Sequence, residues 1–138
     1  MIIIDASVAI KWINYGEEDR ESALLLYEKH IQKEDSISIP AFLFLEVANV
    51  LVTKPHYSEE SIENGLNLLF TSNFLIYQET NDDISEAAIL AKKYKTSVYD
   101  MLYAVIAKKN KCLLITADEK FSRKVNFPFV KTIKEYPF

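Results

Sequence analysis

The sequence predicts an α/β protein, a three-layer α/β/α sandwich built around a mainly parallel sheet. Five short apolar runs, several rich in β-branched residues, alternate with longer stretches of helical spacing. Strands joined through helices need crossover connections, which make neighbours parallel and cover both faces of the sheet. The 138 residues are 49% hydrophobic, enough for one filled core, and no repeat, linker or low-complexity stretch divides them. Residues 1–138 are therefore expected to form a single domain.

Ile2, Ile3 and Ile4 make the first buried strand, and residues 7–13 suit a short helix behind Asp5. Residues 17–33 have Ala23, Leu24, Tyr27 and Ile31 at helical spacing, with acids crowding the first turn, where the helix dipole favours them. Residues 36–39 alternate as a second strand that stops at Pro40, a residue suited to opening the next helix, which runs through 53. Ser58, with Glu59 and Glu60 behind it, caps a helix to 70. A third strand at 74–77 precedes a helix to 94 capped by Asp82 or Asp83. Residues 99–109 are helical, 112–116 a fourth strand, 118–124 a short helix and 129–133 a fifth strand. In such a sheet a site is expected at the carboxyl ends of the strands.

Composition removes several classes of function. Gly16 and Gly65 stand alone, so no Gly-rich loop can close around a nucleotide phosphate. Cys112 has no disulfide partner, and with only His30 and His56 there is no set at zinc spacing, which fits a reducing compartment. The start lacks a basic leader and no apolar run approaches the ~18 residues of a membrane span, so a soluble, cytoplasmic protein is expected. His30 and His56 have polar neighbours and no nucleophile nearby, and are assigned no chemistry. Trp12, Tyr99 and Tyr103 are assigned to core or interface rather than to base stacking.

The net charge of −4 hides an asymmetry. Residues 1–91 carry 5 Lys/Arg and 16 Asp/Glu, whereas residues 92–138 carry 11 Lys/Arg and 4 Asp/Glu. A basic C-terminal third beside an acidic remainder suits a metal-dependent enzyme of nucleic acid, and also suits ordinary solvated helix faces.

Four acids sit in apolar company. Asp5 ends the first strand; Glu46 lies between Leu45 and Val47 in an apolar helix; Asp100 opens the run from Met101 to Ala107; Asp118 follows the run from Leu113 to Ala117. An ionised carboxylate removed from water costs several kcal/mol unless paired or metal-bound. Within four residues of these acids, the only Lys or Arg is Lys120 near Asp118. Asp5 and Asp118 follow strands that can end side by side, and the helices bearing Glu46 and Asp100 can reach the same edge. Such a tetrad repels itself and calls for a divalent cation; all-oxygen ligation favours Mg²⁺ or Mn²⁺ over zinc. Asp5, Asp100 and Asp118 can each alternatively be plain helix N-caps, whereas Glu46, in mid-helix, has no capping role. Ser7, Asn49 and Thr116 stand two or three residues from Asp5, Glu46 and Asp118, where they can hydrogen-bond the carboxylates or simply the local backbone.

At these residues the sequence resembles the PIN-domain nucleases, most closely the VapC-type toxins of prokaryotic toxin–antitoxin pairs. Four segments match in order: Ile4-Asp5-Ala6-Ser7-Val8, residues 40–51 around Glu46-Val47-Ala48-Asn49, Val98-Tyr99-Asp100-Met101-Leu102-Tyr103, and Leu114-Ile115-Thr116-Ala117-Asp118-Glu119-Lys120-Phe121. The resemblance implies a PIN-like fold whose acids, here Asp5, Glu46, Asp100 and Asp118, bind Mg²⁺ or Mn²⁺ and cleave RNA, with Ser7 and Thr116 in supporting positions. It also implies a homodimer and a small antitoxin partner. Some members carry a further acid near the last motif; here Glu119 is adjacent, but helical geometry turns it away.

The expectation is thus an endoribonuclease that leaves a 5′-phosphate and a 3′-hydroxyl, using one or two metal ions. Asp5, Asp100 and Asp118 are the direct ligands, and Glu46 is a ligand or the orienter of the attacking water. Lys92, Lys93, Lys95, Lys108, Lys109, Lys111, Arg123 and Lys124 are the expected contacts to RNA phosphates. Two rivals remain. A phosphoacceptor receiver domain needs paired acids after its first strand and an acceptor aspartate after its central one; Asp5 is unpaired and residues 74–78 hold no aspartate. A catalytically silent PIN-like scaffold that only binds RNA or protein is the other.

Overall fold

The computed structural model describes residues 1–138. Five strands form one sheet: β1 (Ile2–Ile4), β2 (Ile37–Pro40), β3 (Leu75–Tyr77), β4 (Leu113–Thr116) and β5 (Val130–Thr132). They are connected by seven helices: α1 (Ala6–Ile13), α2 (Arg20–Ile31), α3 (Phe42–Thr53), α4 (Glu59–Phe70), α5 (Asn81–Tyr94), α6 (Val98–Lys109) and α7 (Glu119–Val125). The strand order is β3-β2-β1-β4-β5, and every pairing is parallel. This is the α/β sandwich that the alternation of strand and helix predicts.

The central strand is apolar on both faces because helices cover both, and Ile2, Ile3 and Ile4 are all buried. Helix α6 is buried without a break from Met101 to Ala107, as befits a helix apolar around its whole circumference. On α3 the buried residues Leu43, Val47 and Leu51 recur every fourth position and anchor the face beside the one that carries Glu46. Trp12 is core, its indole N–H donating to the carbonyl of Ala23 at 2.7 Å. His30 is structural: one ring nitrogen lies 2.7 Å from the Ser72 carbonyl, and the other accepts the Ile37 N–H at 3.1 Å. No helix is long and apolar enough to cross a membrane.

Two helix starts differ from the sequence expectation. Helix α2 begins at Arg20 rather than at residue 17, because Asp19 takes a left-handed conformation (φ 57°) and Glu17 and Glu18 are drawn to Lys11. Helix α5 is capped by Thr80, not by Asp82 or Asp83. The Thr80 hydroxyl accepts the Asp83 N–H while the Asp83 carboxylate accepts the Thr80 N–H, so Asp83 completes a capping box.

The register places what matters. Ile4 of β1 pairs with Ile115 of β4, so the residues that follow, Asp5 and Thr116, emerge together at the carboxyl end of the sheet. From β1 the chain order runs outward to β2 and β3 on one side and to β4 and β5 on the other, so this is the topological switch point, where open α/β sheets form a crevice.

Leu43, fully buried one turn before Glu46, sets the seat of α3. Leu43→Ala is expected to lower the unfolding free energy by about 2–5 kcal/mol, measured by urea denaturation followed by circular dichroism.

Candidate active site

Asp5 leaves β1 in extended conformation and caps α1, its Oδ1 accepting the Val8 N–H at 3.3 Å. The Ser7 hydroxyl donates to the same oxygen and the Thr116 hydroxyl donates to Oδ2. These two hydroxyls are themselves held by the chain leaving β4: Ser7 Oγ accepts the Ala117 N–H at 2.8 Å and Thr116 Oγ1 accepts the Asp118 N–H at 3.0 Å. Asp118 caps α7, its Oδ1 accepting the Phe121 N–H at 2.9 Å. Asp100 is not a cap. Ser97 caps α6 by accepting the Asp100 N–H at 3.0 Å, which leaves the Asp100 side chain in the first turn without a capping duty. Glu46, half-buried on α3, accepts a 2.6 Å hydrogen bond on Oε1 from the hydroxyl of Tyr103.

Asp5, Glu46, Asp100 and Asp118 all line one cleft of about 380 Å³. None of the four forms an ion pair with a lysine or arginine. The only lysine lining the cleft, Lys11, is engaged by the Glu17 carboxylate at 3.7 Å and by the Glu18 carbonyl. Burial pushes the Asp5 carboxyl up to about 6, in spite of hydrogen bonds from Ser7, Thr116 and Val8 and with help from the charge of Asp100. Burial also raises Glu46; the Tyr103 hydrogen bond opposes this, and the charges of Asp100 and Asp5 add to it. Asp100 is raised by burial and by Asp118, against a hydrogen bond with Ser97. The buried Tyr103 phenol is raised by burial and by the acids around it, which keeps it a donor to Glu46.

The donor set can be tested against a hard cation. No three of the acids stand close enough to make a ready-made cage. Mg²⁺ does not need one, since it keeps most of its waters and typically takes only one or two carboxylates directly. Glu46 and Asp118 each use one oxygen on a protein donor, which leaves the other for a cation or its water. Oxygen-only donors, raised carboxyls and no competing ammonium or guanidinium fit Mg²⁺ or Mn²⁺ and fit zinc poorly.

The remaining candidates separate. Ser7 and Thr116 are at the site and clamp Asp5. Asn49 is exposed on α3 and does not line the cleft, whereas Val50, next in the chain, does. Glu119 is exposed and paired with Lys134 at 2.7 Å, away from the cleft. Lys95 and Lys124 line a second hollow with Lys120, and this hollow shares Asp100 and Asp118 with the cleft. Lys92, Lys93 and Arg123 lie in the last turns of α5 and α7, close in sequence to Lys95 and Lys124. Lys108, Lys109 and Lys111 belong elsewhere: α6 starts at the cleft with Asp100 and runs about 13 Å to Lys109, delivering the chain to the opposite edge of the sheet. There Lys108 pairs with Glu86 and Lys109 with Asp83. Tyr99, expected in core or interface, is exposed and so not core, with its ring 5.9 Å from that of Phe42.

Sequence reasoning missed three participants. Tyr103 is core, as expected, yet its hydroxyl reaches Glu46; the one available signal is its i+3 spacing from Asp100 on the same helix. Glu17, a further acid lining the cleft, and Lys120, beside Asp118, are the others.

The PIN domain family model matches residues 2–126. No curated protein sequence matches the chain significantly. Similar solved structures include VapC20 of Mycobacterium tuberculosis, a sarcin-ricin loop cleaving toxin, at 15% identity and TM-score 0.70, with 89% of this chain and 94% of that one covered. VapBC2 from Rickettsia felis, bound to a DNA fragment from its promoter, matches at 17% identity and TM-score 0.70 over 96% and 98% of the two chains. A toxin–antitoxin complex from Klebsiella pneumoniae matches at 18% identity and TM-score 0.66 over 100% of each. At these identities the likeness is one of fold.

The Asp5 carboxyl sets a pH signature. Its folded value, near 6, lies above its ordinary 3.8, so the protonated acid favours the folded state, and that contribution is lost as pH rises through this window. Relative to Asp5→Asn, which cannot titrate, the metal-free protein should lose about 2 kcal/mol of unfolding free energy between pH 4 and pH 7. Urea titrations of both proteins at each pH check this.

Proposed function

Because the chain belongs to the PIN-domain family, we propose that it is a Mg²⁺- or Mn²⁺-dependent endoribonuclease that hydrolyses RNA phosphodiester bonds, and the toxin of a toxin–antitoxin pair. The observation that carries the reading is the convergence of Asp5, Glu46, Asp100 and Asp118 on one cleft with no basic side chain paired to any of them. Asp5, Asp100 and Asp118 would hold the cation, which would acidify the attacking water and offset charge on the phosphate and the leaving oxygen. Ser7 and Thr116 keep Asp5 from rotating away. Glu46 orients the attacking water: Tyr103 occupies Oε1, so Oε2 is the oxygen left to accept the water's hydrogen. Its raised carboxyl brings it nearer to the pH at which a base works best. Lys95, Lys120 and Lys124 hold flanking phosphates beside Asp100 and Asp118, with Lys92, Lys93 and Arg123 extending the basic rim.

A homodimer, a small antitoxin protein and a cytoplasmic location belong to the same reading. Its support is likeness: the neighbours from Rickettsia felis and Klebsiella pneumoniae are toxin–antitoxin assemblies.

The test is cleavage of structured RNA by purified protein. Turnover is expected with Mg²⁺ or Mn²⁺ and none with chelator, and Asp100→Asn should lower kcat at least about a hundredfold, by removing charge stabilisation aimed at the transition state. Activity that survives chelation, or that Asp100→Asn leaves unchanged, sinks the reading; RNA binding that needs no cation and leads to no cleavage favours the silent scaffold. Tyr103→Phe, which keeps the ring and deletes the donor, should move the acid limb of the kcat profile to higher pH. The hydrogen bond holds Glu46 low, and its loss lets the carboxyl rise.

A further inference from the structure

A third hollow, of about 430 Å³, opens between the end of α1, the α3–α4 turn and α4. We propose that it is a nucleobase pocket, taking one unstacked base of the RNA strand whose backbone is cut at the carboxylate cleft; the inference rests on the ribonuclease reading.

The walls have the chemistry that single-stranded RNA recognition uses, aromatic planes with a few hydrogen-bonding groups. Tyr15, His56 and Tyr57 supply rings, and the buried Trp12 lies at the inner wall. Tyr15 is 85% exposed, an unusual state for a large ring. It is nevertheless backed, because the Arg20 guanidinium lies 4.3 Å from its centroid while donating to the Trp12 carbonyl. His56 and Tyr57 have their ring centroids 4.4 Å apart. The Tyr57 hydroxyl is buried behind this wall with no hydrogen-bond partner, so Tyr57 offers the hollow its ring and not its donor. Asn64, an exposed amide on α4, adds a donor and an acceptor of the kind that reads base edges. Gly65 shapes the wall: a Cβ there would stand 2.8 Å from Cγ2 of Ile13, so glycine lets α4 close on the end of α1.

The hollow and the acid cleft are neighbours, separated by one hydrogen-bonded pair of side chains. Asn14, in the hollow, donates to the Glu17 carboxylate at 3.1 Å, and Glu17 lines the cleft. Lys54 reaches Glu17 at 3.7 Å from the α3 end, so a cation stands on the ridge that a strand running from pocket to cleft would cross. A purely apolar partner helix would leave the Asn64 amide unmatched.

The experiment measures binding apart from turnover. Fluorescein-labelled eight-residue oligouridylate and oligoadenylate are titrated in EDTA, by anisotropy, against wild type, Tyr15→Ala, Tyr15→Phe and Asn64→Ala. Cut sites on a long RNA and turnover of bis(p-nitrophenyl) phosphate, which has no base, are measured with Mn²⁺. Tyr15→Ala should weaken oligonucleotide binding about tenfold and shift the cut-site pattern, Tyr15→Phe should restore both, and Asn64→Ala should change the ratio between the two oligonucleotides. Hydrolysis of bis(p-nitrophenyl) phosphate should not change. Unaltered binding and cut sites in Tyr15→Ala assign the hollow to a protein partner or to nothing, and overturn the pocket while leaving the ribonuclease. Binding that depends on Tyr15 in a wild type that cleaves neither substrate defeats the ribonuclease and leaves the pocket.

Discussion

The structure turns on one carboxylate carried into the protein at the seam between two strands. Asp5 is 8% exposed, and an ionised group so placed costs several kcal/mol unless donors surround it. The donors come from Ser7, Thr116 and the Val8 amide, and two of these hydroxyls are locked in turn by the N–H groups of Ala117 and Asp118. The chain leaving β1 and the chain leaving β4 are therefore cross-braced through a single side chain. The Ile4–Ile115 pairing that makes this possible is also what puts the site at the switch point of the sheet. A one-residue slip in that pairing would remove the Thr116 donor and strand the carboxylate, so the cost of burial also specifies the register.

The elements most legible in the sequence were those whose signal is local. Apolar runs bounded by turn residues placed all five strands, and acids in apolar surroundings picked out four of the twelve residues that line the cleft. Capping and site membership looked like alternatives, yet Asp5 and Asp118 do both: the helix start aims one oxygen at a backbone amide and leaves the carboxylate on the cleft wall. What stayed hidden depends on three dimensions. The partner of Glu46 is a phenol 57 residues away, and nothing in the spacing distinguishes a core tyrosine whose hydroxyl is free from one whose hydroxyl is committed. Glu17 reaches the cleft because Asp19 turns left-handed and delays the helix to Arg20, a single backbone choice that hydrophobic periodicity does not record. A count of lysines along the chain cannot tell which end of α6 they occupy, and the answer divides Lys95 and Lys124 from Lys108, Lys109 and Lys111.

The electrostatic arrangement follows from what is neutralised and what is not. Lys11 enters the cleft but is claimed by Glu17 and Glu18, so it adds little positive charge for the tetrad. Elsewhere acids find partners, as Asp83 does with Lys109 and Glu119 with Lys134. Mutual repulsion is thus left concentrated at Asp5, Glu46 and Asp100, whose carboxyls are all raised, in part by one another or by Asp118. A fold that pairs Glu17, Asp83 and Glu119 with lysines yet leaves these three unpaired places electrostatic strain in one small volume.

That strain gives the basic rim its meaning. Phosphate would be repelled by the carboxylates alone, and lysines inside the cleft would cancel the charge that attracts a dication. The structure keeps the two apart by the width of a helix start. Lys95, Lys120 and Lys124 stand in the adjoining hollow, which meets the cleft only at Asp100 and Asp118. Lys124 is fastened there by donating to the Lys95 carbonyl at 2.6 Å, a carbonyl made available by the left-handed turn that ends α5. Negative and positive surfaces therefore adjoin without forming ion pairs, which is what a site needs if a cation and a polyanion are to be held side by side.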